Sequence, residues 1–247
     1  MTIPFEPTLL GYHINSHLIL EYLAFFVAFR YYLFLRKQSY DTISGSNRLS
    51  IILGAAIGAL LGSRLIGLLE NPLVAWSQEN LITLLNTKTI MGGLFGGLLG
   101  VELAKKRIGE TESSGDLFVF PIILGIFIGR MGCFLSGINE FTYGKETTSV
   151  LGMDLGDGLL RHPTALYELV FLVVLFFSLK RLQSTSTLNN GEVFKWFMVL
   201  YFTFRFCIEF LKPNVFYIIG LSTIQILCVI CWLYYSRFIL QKLNYAS

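Results

Sequence analysis

The chain has 247 residues, of which 54% are hydrophobic and 14% charged, and its mean hydropathy is +0.63. Soluble domains carry about 25% charged residues, so this composition excludes a chain whose main solvent is water. The formal net charge of +3 follows the distribution of loop cations described below and does not indicate a nucleic-acid partner.

A bilayer helix needs roughly 20 predominantly apolar residues. Seven stretches qualify as candidates: 16–35, 49–70, 89–104, 117–137, 163–179, 193–211 and 216–239, the third being the shortest. The first fifteen residues contain Glu6 and no Lys or Arg, so no cleavable leader is expected there. Connections are short, the longest running over 138–162, and residues 1–247 are expected to form one polytopic domain.

The first candidate helix carries His17 and Glu21, four residues apart and near one end. A carboxylate one turn away would orient an imidazole and raise its basicity; the plainer alternative is an interfacial histidine bonded to its neighbour. Arg30, toward the other end, can extend to the interface. The second helix has Gly54, Gly58 and Gly62 at intervals of four, followed by Arg64, and the third has Gly92, Gly96 and Gly100 with Gly93 and Gly97 beside them. This spacing lets helix backbones approach closely. In "GGLFGG", residues 92–97, loosened backbone also offers amides, those of Gly96 and Gly97 among them, to a lipid headgroup.

The fourth helix holds Arg130 inside "GIFIGRMGCFLSGINEFTYG". The fifth opens with "RHPTALYEL", where Pro163 suits a first helical turn and holds Arg161 and His162 outside it. In the sixth, Tyr201, Arg205 and Glu209 share one face, and "LKPN" closes the span. The seventh contains Cys228 and Cys231 as C-x-x-C on an apolar helix, read as buried thiols rather than a redox pair.

Lys and Arg set orientation. Eleven of them (Arg36, Lys37, Arg48, Lys105, Lys106, Arg107, Lys180, Arg181, Lys195, Arg237 and Lys242) fall on one side, and Lys88, Lys145, Arg161 and Lys212 on the other. The N-terminus and the 138–162 loop are therefore expected outside, the C-terminus in the cytoplasm. Arg64, Arg130 and Arg205 remain within spans, where a charge costs about 2.5–3.5 kcal/mol or more. The plainer alternative is an intrahelical ion pair of Arg205 with Glu209, but one glutamate cannot also neutralise Arg64 and Arg130, which need another anion. Arginine binds phosphate at two points, and the phosphates native to a bilayer belong to phospholipids. A phosphate-binding cavity open toward the outer leaflet, with acid–base groups beside it, is the resulting expectation. No metal or cofactor is expected, and no paired half-helix breaks or charged ring argue for a transporter or channel.

An ordered series of motifs resembles the prolipoprotein diacylglyceryl transferase family over nearly the whole chain. "GSRLIG" is similar to the family's Gly-Ala-Arg-Leu-Gly, "GGLFGGLLG" to its Gly-Gly…His-Gly-Gly-Leu, and "GRMGCFLSG" to its signature Gly-Arg-x-Gly-Asn-Phe-x-Asn-Gly. "RHPTALYE" resembles Arg-His-Pro-Ser-Gln-Leu-Tyr-Glu, "YFTFRFCIEFLK" matches Tyr-x-x-x-Arg-x-x-x-Glu-Phe, and "LSTIQIL" resembles its late Gln-containing helix. The resemblance implies an all-α fold of seven transmembrane helices in the bacterial inner membrane. It also implies transfer of the diacylglyceryl group of phosphatidylglycerol to the lipobox cysteine of a lipoprotein precursor, with loss of glycerol 1-phosphate. By position, Arg130 and Arg205 would hold the phosphate, Arg64 would line the cavity and Glu209 would orient Arg205. Tyr167 and Tyr201 would bound the headgroup, and Gly144 would close the outward loop.

The departures concern the base. Phe95 stands at the family's histidine, Cys133 and Ser136 at the signature's two asparagines, and helix one lacks Trp-Tyr-Gly. Six residues separate Gly137 from Gly144 where the family usually has three, which leaves the match of Glu140 open. His17 is the first candidate base, followed by His162 and then Glu140. The alternative is a lipid-binding pseudoenzyme, or a transferase-like subunit serving a different acceptor.

Overall fold

The computed structural model describes residues 3–9, 12–39, 41–70, 87–186, 188–214 and 220–246. Helices dominate it: α1 (Ser16–Gln38), α2 (Gly45–Glu70), α3 (Ile90–Ile108), α4 (Asp116–Ser136), α5 (Thr164–Thr185), α6 (Glu192–Glu209), α7 (Thr223–Tyr234) and α8 (Ser236–Ala246). Two small antiparallel pairs accompany them, β1 (Thr8–Leu9) with β2 (Tyr12–His13), and β3 (Met153–Asp154) with β4 (Leu160–Arg161).

Each expected apolar stretch falls mainly on helix; in the seventh, residues 216–219 lie outside the described residues and the helix begins at Thr223. That seventh stretch is bent by 59° between α7 and α8. Among the described residues, α1, α2 and the run Asp116–Asn139 are long and apolar enough to cross a membrane, and the bent α7–α8 pair adds a fourth if it counts as one span. Their surfaces agree with a lipid solvent. Tyr22, Phe25, Phe26 and Phe29 of α1, and Ile57, Leu60 and Leu61 of α2, are all more than half exposed. A monomeric protein in water rarely shows apolar patches of this extent.

The residues gather into two compact units, each built from separated stretches of sequence. The first takes Met1–Tyr40, Gly115–Leu200 and Phe210–Pro213. Here α4 packs on α1 and α5. The α1–α4 contact relies on small residues: a Cβ at Gly125 would stand 3.2 Å from Ala28 Cβ, and one at Gly132 would stand 3.2 Å from the His17 ring. Asn15 caps α1 by accepting from Leu18 N–H, and Arg36 and Lys37 occupy its last turn, where the helix dipole favours cations. Asp116, in the first turn of α4, accepts from the backbone N–H groups of Gly191 (2.7 Å) and Phe194 (2.9 Å) and so ties down the start of α6. At the other end of α4, Gly137 adopts φ +55° and turns the chain out of the helix. A side chain there would meet both that conformation and the Leu155 carbonyl.

The second unit takes Asp41–Ser114, Tyr201–Glu209 and Asn214–Ser247. Its centre is a seam between α2 and α3. Gly54, Gly58 and Gly62 lie against Gly100, Gly96 and Gly92, so close that a Cβ on Gly54 would stand 2.7 Å from the Gly100 carbonyl oxygen and one on Gly58 2.9 Å from Gly100 Cα. Thr89 caps α3 on Gly92 N–H, and Gly109 ends it with φ +70°. A Ser222–Gln225 capping box opens α7.

One loop cation is reassigned. Arg48 lies in the first turns of α2 and is buried, its guanidinium on Asp41 (Nε to Oδ2, 3.0 Å) and on the Ser114 carbonyl. A carboxylate close in sequence draws it inward.

Candidate active site

In the first unit several polar side chains converge where α4 ends. Cys133 Sγ lies 3.6 Å from His17 Nε2, and the opposite ring nitrogen, His17 Nδ1, lies 3.2 Å from Glu140 Oε1. Arg130, one turn before Cys133 on α4, directs Nη1 toward the same sulfur at 3.9 Å. Three local features make this arrangement. Gly132 leaves room for the start of α1 to lay His17 on α4. The spacing of three places Arg130 and Cys133 on one helical face. Gly137 and the 3₁₀ turn after it return the chain so that Glu140 reaches the imidazole. Cys133 is buried, His17 nearly so, and the Glu140 side chain is 40% exposed, so the cluster reaches the surface on the carboxylate side.

The carboxylate against Nδ1 is thus Glu140, from the loop after α4. The expected orienting partner was Glu21, which shares α1 with the histidine. A long-range contact closes the ring's open side, and sequence spacing within one helix does not reveal it.

Arg130 also has a partner that the sequence reading omitted. Glu168 of α5 places Oε1 2.9 Å from Arg130 Nε, with both side chains buried. The N–H does not point along that line, so the contact is an ion pair rather than a linear hydrogen bond. The inference that Arg130 needs an anion holds, but a protein carboxylate supplies one. Glu168 is the glutamate of "RHPTALYE", where the motif itself was the available signal.

The loop side of this unit is ordered by His162 and Gly144. His162 Nδ1 bonds Tyr167 Oη at 3.1 Å, and Gly144 N–H donates to the His162 carbonyl at 2.9 Å. A Cβ on Gly144 would stand 2.7 Å from that carbonyl oxygen and 3.1 Å from the Leu211 carbonyl, so the position accepts only glycine without rearrangement. Lys145 N–H donates to Leu211 O at 2.7 Å. Farther out, Arg161 Nε donates to Asp157 Oδ2 at 2.7 Å, which holds the Asp157 carboxyl below its ordinary range.

In the second unit, Arg205 and Glu209 pair within α6 (Nη2 to Oε2, 3.3 Å), both buried, with Tyr201 buried one turn earlier. Gln225 is also buried and donates from Nε2 to the Phe206 carbonyl at 3.2 Å. Arg64 Nη1 donates to the Thr87 carbonyl at 3.0 Å. Gly96 sits in the α2–α3 seam, against Gly58 and Gly62, whereas Gly97 meets Ala55 and Ala59 at ordinary van der Waals distance. Phe95 packs edge-on against Tyr234. Cys228 and Cys231 are buried free thiols, and Cys207 is exposed. Among the described residues no cluster of His, Cys, Asp and Glu has the grouping of a metal site.

The family model for prolipoprotein diacylglyceryl transferase matches residues 7–240, almost the entire chain. The chain belongs to this family. A relative from Nitratidesulfovibrio vulgaris (strain DP4), named phosphatidylglycerol--prolipoprotein diacylglyceryl transferase, is 36% identical over 177 residues, 68% of this chain and 62% of the relative. Relatives of the same name from Wolbachia sp. subsp. Brugia malayi (32% over 183 residues, 71% and 66%) and Ehrlichia canis (30% over 197 residues, 74% and 70%) agree. The chain thus covers a little under two thirds of the Nitratidesulfovibrio relative's length. Within the family, the transferase-like motif "GRMGCFLSG" is the segment that brings Arg130 and Cys133 to His17.

Proposed function

We propose that this protein transfers the diacylglyceryl group of phosphatidylglycerol to the thiol of a lipoprotein precursor. The new C–S bond forms at the glyceryl carbon, the C–O bond to phosphate breaks, and glycerol 1-phosphate departs with the electron pair. The acceptor's proton passes to His17 Nε2 while Glu140 holds the ring through Nδ1. A thiol becomes the nucleophile only as thiolate, and a departing phosphate needs fixed cations. Arg130 and Arg205 are assigned phosphate contacts, Arg64, Tyr167 and Tyr201 the surroundings of the headgroup, and His162 and Gly144 the ordering of the loop. The proposed frame is seven spans in the bacterial inner membrane, with the N-terminus outside.

The observation that carries this reading is an imidazole backed by a carboxylate, His17 Nδ1 to Glu140 Oε1 at 3.2 Å, in the same cluster as the buried guanidinium of Arg130. Membership of the family supports the choice of lipid and acceptor. The test is release of glycerol 1-phosphate from headgroup-labelled phosphatidylglycerol in the presence of a lipobox peptide. His17→Ala should lower turnover about 10²–10⁴-fold, the range for loss of a general base. Undiminished turnover in that variant removes His17 from the mechanism. A wild-type protein that binds phosphatidylglycerol yet releases nothing favours the second reading, a lipid-binding pseudoenzyme, for which Phe95 at the family's histidine is the motivating feature.

A further inference from the structure

The cluster at the end of α4 contains a group that diacylglyceryl transfer does not use. Cys133 is itself a nucleophile in hydrogen-bond reach of a histidine (3.6 Å), and that histidine's other nitrogen is held by a carboxylate (3.2 Å). Nucleophile, base and orienting group in series are the signature of covalent acyl transfer, recognised by geometry whatever the fold. A guanidinium also stands beside the sulfur, Arg130 Nη1 at 3.9 Å, with Glu168 Oε1 on its Nε at 2.9 Å, and a cation at that distance favours the thiolate. A cysteine serving only to fill space would have no need of a carboxylate-backed imidazole and a guanidinium at its sulfur.

We propose that Cys133, His17 and Glu140 form an acyl-transfer triad, in which Cys133 takes a fatty-acyl chain from a glycerophospholipid ester as a thioester. The choice of carbonyl over glyceryl carbon follows from the leaving group. Attack on the glyceryl carbon would leave a thioether on Cys133, whose sulfur departs too poorly for a second transfer, and the chain would inactivate itself after one event. Attack on an ester carbonyl gives a thioester that a further nucleophile can resolve. In the first step the Cys133 proton moves to His17 Nε2, the S–C bond forms and the ester C–O bond breaks. The proton then passes from His17 to the departing glyceryl oxygen, releasing lysophospholipid. In the second step a hydroxyl or amine acceptor gives its proton to His17 and takes the acyl group, and the thiol is restored. No oxidant or other co-reactant is required. Glu140 is a positioning residue in this scheme, since it acts through the imidazole.

The experiment uses the full chain in micelles containing phosphatidylglycerol, followed by intact-mass and peptide-mapping mass spectrometry. The expected product is one acyl chain on Cys133, absent from Cys207, Cys228 and Cys231, removed by neutral hydroxylamine and matched by an equal amount of lysophosphatidylglycerol. His17→Ala should slow its formation about 10²–10⁴-fold. Glu140→Gln should slow it less and change the pH dependence of the step, which a structural role alone would not do. Cys133→Ala should abolish the adduct. Cys133→Ser, closer in volume, serves where the alanine variant does not elute as a folded species, and should carry no hydroxylamine-labile adduct. An adduct that resists hydroxylamine and accompanies glycerol phosphate release overturns the proposal, as does unmodified Cys133 after prolonged incubation. The two readings separate by product: lysophospholipid reports this triad, glycerol phosphate reports diacylglyceryl transfer, and each can fail without the other.

Discussion

Replacing Glu168 by Gln should reveal how much of the first unit depends on neutralising Arg130. The carboxylate oxygen stands 2.9 Å from Nε, and both side chains are buried. At an effective dielectric of about 20 the gross attraction over that distance is on the order of 6 kcal/mol. Much of it offsets the cost of taking two ions out of water. Removing one partner strands the other, and the usual loss is about 3–5 kcal/mol. For a chain of this size each kcal/mol moves Tm by about 2–4 °C, so Glu168→Gln should melt about 6–20 °C lower in detergent, followed by circular dichroism. The stringent part is the cycle. Arg130→Gln with Glu168→Gln removes both charges and should melt well above Glu168→Gln alone, because no stranded cation remains. Additive losses in the double variant, or an unchanged Glu168→Gln protein, would refute a coupled buried pair.

Four further outcomes follow. A cysteine at Thr8 or Thr148 should react with an impermeant reagent in intact cells and one at Asn189 should not; the reverse pattern would invert the proposed topology. Arg205→Gln should lose co-purifying phosphatidylglycerol, measured by lipid mass spectrometry, and Arg205→Lys should not restore it fully, because an ammonium lacks the planar two-point contact. Gly58→Ala should cost about 1–3 kcal/mol through overpacking, whereas Gly93→Ala, whose nearest neighbours stand 3.8 Å away, should be neutral or slightly stabilising by thermal melting. Asp157 has a lowered folded pKa through Arg161, so its contribution to the β3–β4 loop is present above the unfolded value of about 3.9 and is lost as pH falls through the lower folded value. Amide exchange at Arg161 should accelerate across that window, and Asp157→Asn should exchange fast throughout.

The helices were legible because apolar runs of bilayer length leave little choice of structure, and Arg130 was legible because a permanent cation among them demands an account. What answers that cation was not legible. Glu168 lies on another helix, and spacing rules see only partners three or four residues away. The same rule led to Glu21 for His17, while the turn at Gly137 brought Glu140 from a loop of unusual length. Arg48 counted as a cation of the 36–48 connection, whereas α2 starts earlier than its apolar run and a nearby aspartate draws the side chain in. Cys133 stood out only as a departure from the signature's asparagine. Its neighbours on the helix gave no hint of the imidazole that Gly132 admits from α1.

The glycine seam of the second unit has a further consequence for how α2 and α3 find their alignment. A repeat of four behaves like the teeth of a ratchet: sliding one helix by one repeat, about 6 Å at 1.5 Å per residue, would set Gly54 against Gly96 and Gly58 against Gly92, re-forming two of three glycine contacts. The teeth therefore set how near the helices lie but discriminate weakly between neighbouring notches. The stops are at the ends, where Thr89 N–H donates to Ser63 Oγ at 2.9 Å, Arg64 reaches the Thr87 carbonyl at 3.0 Å, and Asn47 Nδ2 donates to Glu110 at 3.0 Å. None of these contacts survives a slip of one notch. A few hydrogen bonds at the two ends thus act as the pawl that holds the helices at one tooth.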